Sequence, residues 1–224
     1  MQSESSQSGS SWPRIDAVRH HWSWRPEWHH DRPCLYWYLT FDPDAVATAV
    51  GPETLRAIGE VPWMDPVPLE WTHLTLCDLG FLDEVPDDVV ERAVGGVAEL
   101  LASTEVPTLT VGPLVGMESA VVLVAEPLEE LRRLQRRVRT ATERALGPGR
   151  EVVHRHRFWP HVSLGYVSRS VPGPEVRALT DSFDHLRAPL PVEGLVLAAV
   201  TRQRRHYQWT VRADLTVGSP EPSH

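Results

Sequence analysis

The chain has 224 residues, of which 42% are hydrophobic and 23% charged, with a formal net charge of −8. These values describe an ordinary globular chain, large enough for one sizeable domain or two small lobes, and the negative balance argues against a protein that coats long nucleic acid by neutralising phosphates. All 22 basic residues are arginine, which excludes a G-x-x-x-x-G-K-[S/T] phosphate loop and any chemistry needing a lysine nucleophile.

Residues 1–11 are serine-rich and are expected to be disordered, with no basic and apolar leader of the secretory kind. Residues 12–33 differ, holding Trp12, Trp22, Trp24 and Trp28 with the histidine pairs His20-His21 and His29-His30. That much aromatic surface predicts an arm packed on the body. The histidine spacing matches no zinc pattern, so neither a metal nor a cofactor is expected. Cys34 and Cys77 are too few for a disulfide framework, and a reduced cytoplasm is the expected compartment. No apolar run reaches the roughly 18 residues that a membrane span needs.

Aromatic and apolar enrichment predicts a strand over 35–41, closed by Asp42-Pro43, followed by a helix over 44–60. A strand over 71–79 ends at Gly80, and Pro86 opens a helix to about Ala102. Strands are predicted over 108–111 and 120–125. Pro127 then starts an arginine-rich helix with Glu129 and Glu130 in its first turn and a stop at Gly147-Pro148, as the helix dipole favours. A strand over 157–167, a short helix over 175–183 and strands over 192–200 and 206–217 complete the order. Two rounds of interleaved strands and helices with short links predict mixed or antiparallel sheets. The arginine run 132–139 reads as a solvated helix face beside a buried leucine stripe, whereas Arg202, Arg204 and Arg205 are equally open to a phosphate-binding role.

The strands at 71–79 and 157–167 carry the same pattern, Trp71-Thr-His73-Leu-Thr75-Leu76 and Trp159-Pro-His161-Val-Ser163-Leu164. In an extended strand each copy places tryptophan, imidazole and hydroxyl on one face. Two histidines can work as base and acid near neutral pH, and Thr75 and Ser163 can donate to non-bridging phosphate oxygens. An in-line displacement at phosphorus fits that equipment.

These residues resemble the 2H phosphoesterases, which include bacterial RNA 2′,3′-cyclic phosphodiesterases also called 2′-5′ RNA ligases. His73-Leu-Thr-Leu-Cys-Asp-Leu-Gly80 is similar to that family's H-x-T-L-x-x-L-G, and Phe158-Trp-Pro-His161-Val-Ser-Leu164 to its F-x-P-H-[I/V]-[S/T]-L. The resemblance covers 34–217, leaving 1–33 as the serine-rich start and arm and 218–224 as a disordered tail. It implies an α+β fold of two pseudo-twofold lobes with mixed or antiparallel sheets, helices outside and a central cleft. It further implies metal-independent opening of a 2′,3′-cyclic phosphate at an RNA or nucleotide end to a 2′-phosphomonoester. His73 is then the acid and His161 the base, with the reverse assignment open. Ligation, 3′ exonuclease action on short oligonucleotides, opening of an ADP-ribose cyclic phosphate, and a non-catalytic nucleotide or RNA-end binding module are the alternatives. The oligomeric state is open, a monomer being the expectation.

Around the motifs, Arg157 is a candidate phosphate contact, and Trp71 and Trp159 are candidate cleft walls with core packing as the alternative. His154, Arg155 and His156 fall in a predicted loop. Five positions after the second histidine, where RNA-directed relatives often carry a basic residue, stands Tyr166. Strict alternation turns its ring away from His161, and it reaches the cleft only through a bulge at Gly165, where it could stack on a base, with packing as the favoured alternative.

Overall fold

The computed structural model describes residues 17–23, 28–148, 158–203 and 205–216. The expectations for 1–11, for the tail and for Trp12, Trp24, Arg204 and the segment 154–157 therefore lie outside the described residues. In chain order the strands are β1 (Ala17–Val18), β2 (Cys34–Thr40), β3 (Met64–Pro66), β4 (His73–Phe81), β5 (Leu109–Met117), β6 (Ala120–Glu126), β7 (His161–Val167), β8 (Val171–Pro172), β9 (Ala188–Leu190), β10 (Gly194–Arg202) and β11 (Tyr207–Thr216). The helices are α1 (Pro43–Val50), α2 (Pro52–Gly59), α3 (Asp87–Leu101), α4 (Leu128–Leu146) and α5 (Gly173–Thr180).

The strands form two larger antiparallel sheets, ordered β11-β10-β2-β4 and β3-β7-β6-β5-β9, and a small β1-β8 pair. Each larger sheet contains one of the two motif strands, as the duplicated α+β reading predicts. Helices α3 and α4 pack together, α4 against β4 and α3 against β11, while α1, α2 and α5 lie on β9, β3 and β5 of the other sheet. The outward faces of both sheets and the helices share one apolar core, with Trp37, Leu35, Leu39, Leu74, Leu123 and Leu131 almost fully buried. Trp37 donates its indole N–H to Thr142 of α4 at 3.0 Å, so its polar atom is satisfied inside that core. The inward faces meet in a second cluster that includes Tyr36, Tyr38, Val122, Tyr166, Ala198 and Tyr207.

The single helix expected over 44–60 is two. Asp42 caps α1 by accepting from the Ala45 amide at 2.9 Å, and the chain leaves that helix through Gly51 at φ +80°. Pro52 then starts α2, because a proline ring disfavours helical geometry in the residue before it. The strand expected from 71 starts instead at His73, since Leu69–Trp71 forms a 3-10 turn.

Both motif strands are bulged at the same place. On β4 the ladder passes from Tyr38↔Thr75 to Trp37↔Cys77, leaving Leu76 without a partner. On β7 it passes from Val122↔Ser163 to Val121↔Gly165, leaving out Leu164. The bulge lies one residue before the predicted Gly165, and its effect is the conditional one: an added residue resets the alternation, so Tyr166 shares the inner face with His161 and Ser163. Asp78 occupies the equivalent position on β4, opposite Tyr36. The leucine common to both motifs is thus the bulged residue itself, buried toward the outer core at 3% exposure for Leu76 and 2% for Leu164.

Gly165 follows the second bulge with its α-carbon against Met64 of β3, where a Cβ would overlap the Met64 Sδ and Cγ atoms. Gly165→Ala is expected to lower stability by about 1–3 kcal/mol, the usual cost of overpacking a tight core. Urea unfolding measures this as a lower midpoint at unchanged slope, and the loss should shrink when Met64 is also shortened to Ala.

Candidate functional site

The two motif histidines are held in the same way. His73 Nδ1 bonds the Trp71 carbonyl at 2.9 Å, and His161 Nδ1 bonds the Trp159 carbonyl at 2.6 Å. A carbonyl only accepts, so Nδ1 carries the proton in both rings and Nε2 is left to the cleft. His73 is 9% exposed, and Thr75, His161 and Ser163 are partly exposed on the same inner faces. The rings are near enough that the charge of His161 disfavours protonation of His73.

Burial is the main influence on both imidazoles. It pushes His73 down to about 4 against the opposing bond to Trp71, with His161 adding to the depression. His161 is also lowered by burial and partly compensated by the Trp159 carbonyl. Desolvation favours the neutral form, so at neutral pH the cleft by itself presents two uncharged rings. An anion between them would supply the charge that makes one imidazolium favourable.

The remaining predicted residues divide. Tyr166 comes to the inner face, 4% exposed, where its hydroxyl shares a hydrogen bond with Ser163 and burial raises its pKa. Trp71 lies outside the strand, in the 3-10 turn, with its ring edge-on to Trp209 at 4.8 Å, so the motif tryptophan does not share a strand face with His73. Trp159 likewise precedes β7, and the Arg132 guanidinium stands 5.9 Å from its ring centroid. What both tryptophans give the histidines is a main-chain acceptor. Arg157 lies outside the described residues. Of the first arginine run, Arg132, Arg133 and Arg139 pair with Glu129, Glu130 and Glu143, in keeping with a solvated helix face.

The sequence reading missed several neighbours of the histidines. Tyr38 stacks on His73 with ring centroids 4.0 Å apart, and Trp209 meets the same imidazole edge-on at 5.2 Å. The signal for Tyr38 was present as the alternation Tyr36, Tyr38, Thr40 against Leu35, Trp37, Leu39. Trp209 had no such signal, because β11 reaches β4 only through β10 and β2 in the sheet.

The described part of the arm packs on both lobes, as its aromatic content predicts. Strand β1 pairs with β8. His21 stacks on Tyr166 at 4.2 Å, and its two ring nitrogens share hydrogen bonds with the hydroxyls of Ser119 and Tyr207, each at 2.8 Å. Trp22 donates to the buried Asp65 carboxylate at 2.9 Å, and Trp28 stacks on Tyr36 and Tyr207. Arg32 closes the arm by pairing with Asp83 and Glu84 over the Phe81 ring.

The depressed histidines carry a stability consequence. The unfolded chain binds protons near pH 6.5 that folded His73 accepts only near 4, so stability is full above pH 6.5 and falls as pH drops through that window. The slope is up to about 1.4 kcal/mol per pH unit for each group. His21, lowered to about 3 by burial and then by Arg202, extends the loss further down. Urea midpoints at pH 7, 5.5 and 4 should fall in that order, and imidazole resonances of His73 should stay in the neutral form at pH 5.5.

A family model described as the 2′-5′ RNA ligase superfamily matches residues 43–204. No curated protein matches the chain by sequence. Among solved structures, TT0787 of Thermus thermophilus is 23% identical with a TM-score of 0.57, covering 82% of this chain and 97% of its own. A protein described as a phosphoesterase is 20% identical with a TM-score of 0.57, covering 84% of this chain and 100% of its own. Escherichia coli LigT complexed with 3′-AMP is 19% identical with a TM-score of 0.54, at the same coverages of 84% and 100%. Two sheets that each carry a bulged H-x-[S/T]-L strand, together with a family match over most of the chain, establish that this protein belongs to the 2′-5′ RNA ligase superfamily.

Proposed function

We propose that the protein is a phosphodiesterase that opens a 2′,3′-cyclic phosphate at an RNA or nucleotide end to a 2′-phosphomonoester. The observation that carries this reading is the pair of histidines, each tethered at Nδ1 to the carbonyl two residues before it and each followed by a hydroxyl on the same face. His161 Nε2 takes a proton from water as the water oxygen attacks phosphorus. The bond from phosphorus to the 3′ oxygen breaks, and that oxygen receives the proton of the His73 imidazolium. Water is added overall, leaving a free 3′ hydroxyl and a 2′-phosphate. Thr75 and Ser163 donate to the non-bridging oxygens as charge builds on them, and the Tyr166 hydroxyl holds Ser163 in place. Neither proton transfer nor charge stabilisation here calls for a metal.

The two Nε2 atoms are chemically alike: exchanging their roles runs the hydrolysis backwards, toward cyclic phosphate formation, whereas 2′-5′ ligation keeps the roles and puts a 5′ hydroxyl in place of water. Escherichia coli LigT, which shares the fold, has been crystallised with 3′-AMP, ATP and NADP+. Nucleotide ligands on a protein of this fold support a nucleotide substrate for this chain.

Incubation with 2′,3′-cyclic nucleotides in excess chelator is expected to yield the 2′-phosphate. His73→Ala and His161→Ala should each lower kcat by about a thousandfold or more, and Thr75→Val or Ser163→Ala by roughly ten- to several-hundredfold. Tyr166→Phe, which keeps the ring and removes the bond to Ser163, should cost only a few-fold. Since both free histidines titrate below 6.5, kcat/KM is expected to peak on the acid side of that value and decline toward pH 8. Nucleotide binding with no turnover would identify a binding module instead, and a profile flat from pH 5 to 8 would rule out paired histidine catalysis.

A further inference from the structure

The arm precedes the matched segment 43–204, and with residues near the end of β10 it lines a pocket. A pocket of about 440 Å³, within the size range of small-molecule sites, is lined by Trp22, Trp28, His30, Arg202 and Gln203. Two of its walls are indoles already fixed in place. Trp22 is held by its N–H bond to Asp65 and by edge contacts with Tyr166 and Tyr207 at 5.3 and 5.4 Å. Trp28 is held by stacking on Tyr36 at 5.6 Å and on Tyr207 at 5.2 Å. Rings positioned beforehand lose little conformational entropy when an aromatic ligand stacks on them. Arg202, with its guanidinium 5.4 Å from the Trp22 ring, brings positive charge, and the Gln203 side chain offers both a donor and an acceptor to a base edge.

A chain of ring contacts links the pocket to His73. From Trp28 the rings run to Tyr36, to Tyr38 and to His73 in steps of 5.6, 5.6 and 4.0 Å. A phosphate held beside His73 would leave the next base along an extended strand within reach of the pocket, where Trp22 is the half-buried ring while Trp28, Tyr36 and Tyr38 are 5%, 4% and 3% exposed. Stacking platforms joined by a cation are the usual means of holding single-stranded nucleic acid without reading much sequence.

We propose that the arm forms a second-base subsite, in which the penultimate nucleobase of a short single-stranded oligonucleotide stacks on the half-buried Trp22 beside the edge of Trp28 and the phosphate linking it to the terminal nucleotide meets Arg202. This rests on the cyclic phosphodiesterase reading and names its substrate as an oligonucleotide end rather than a free cyclic nucleotide.

The test compares kcat/KM for a dinucleotide ending in a 2′,3′-cyclic phosphate with that for the mononucleotide. The expected ratio is at least tenfold for the full chain, falling to within about threefold of one in Trp22→Ala. Trp22→Phe, which keeps a stacking ring but cannot donate to Asp65, should retain most of the preference, separating stacking from bracing. Gln203→Ala, at a half-buried position whose side-chain amide donates, among the described residues, only to the nearby Thr201 hydroxyl at 3.1 Å, should lower the ratio several-fold even if Trp22→Ala does not fold. Calorimetric binding of the 2′-phosphate products, dinucleotide against mononucleotide, gives a readout that needs no turnover. Tenfold tighter dinucleotide binding that is lost in Trp22→Ala would uphold the subsite even if hydrolysis were absent and the catalytic reading failed. Equal binding and equal turnover of the two lengths, or a Trp22→Ala ratio matching the full chain, would overturn it.

Discussion

A residue left out at the same place in each motif ladder shapes the inner surface of this protein. Leu76 and Leu164 are skipped by their partner strands, and each is driven into the outer core by its own burial. Removing either from water stabilises the fold by about 1.5–3 kcal/mol, which is ample to hold a local irregularity in one register. The histidine and hydroxyl before the bulge face inward, and so does the residue two positions after it. Without the bulge, Tyr166 would point its hydroxyl into an apolar core with no partner, at a cost that a few contacts could not offset. The repeated pattern is therefore a repeated backbone shape as much as a repeated set of side chains.

That shape places two imidazoles in a dry, aromatic surround. Tyr38 covers one face of His73 and Trp209 its edge. The carbonyl at Nδ1 partly restores what burial removes, and it also fixes which nitrogen meets a ligand. Burial keeps both rings neutral, so an imidazolium becomes favourable there only beside a negative charge. The acidic balance of the whole chain, at −8, is no obstacle to this, since the local surround and not the net charge governs a buried pair.

The arm ties the two sheets together on the inner side. Asp65 on β3 receives Trp22 from the arm and pairs with Arg205 beyond the end of β10, at 3.5 Å. His21 joins Ser119, Tyr166 and Tyr207 in the same region, drawing on both sheets.

Much of this was written locally in the chain. The alternation around Trp37, the leucine stripe of α4, the Asp42-Pro43 cap and the two H-x-[S/T]-L copies all depend on neighbours a few residues away, so periodicity and motif spacing reveal them. Other features were decided by distant partners. The three residues of β3 become a strand only because β7 lies beside them, and Trp209 meets His73 only because the two strands between them, β10 and β2, set their spacing. The same is true of the bulges, whose position is a property of a pairing and not of a single strand. Composition determined the residue types available for phosphate chemistry; the folded sheets alone decided which of those residues share a surface, because contact across a ladder is set by register between segments far apart in sequence.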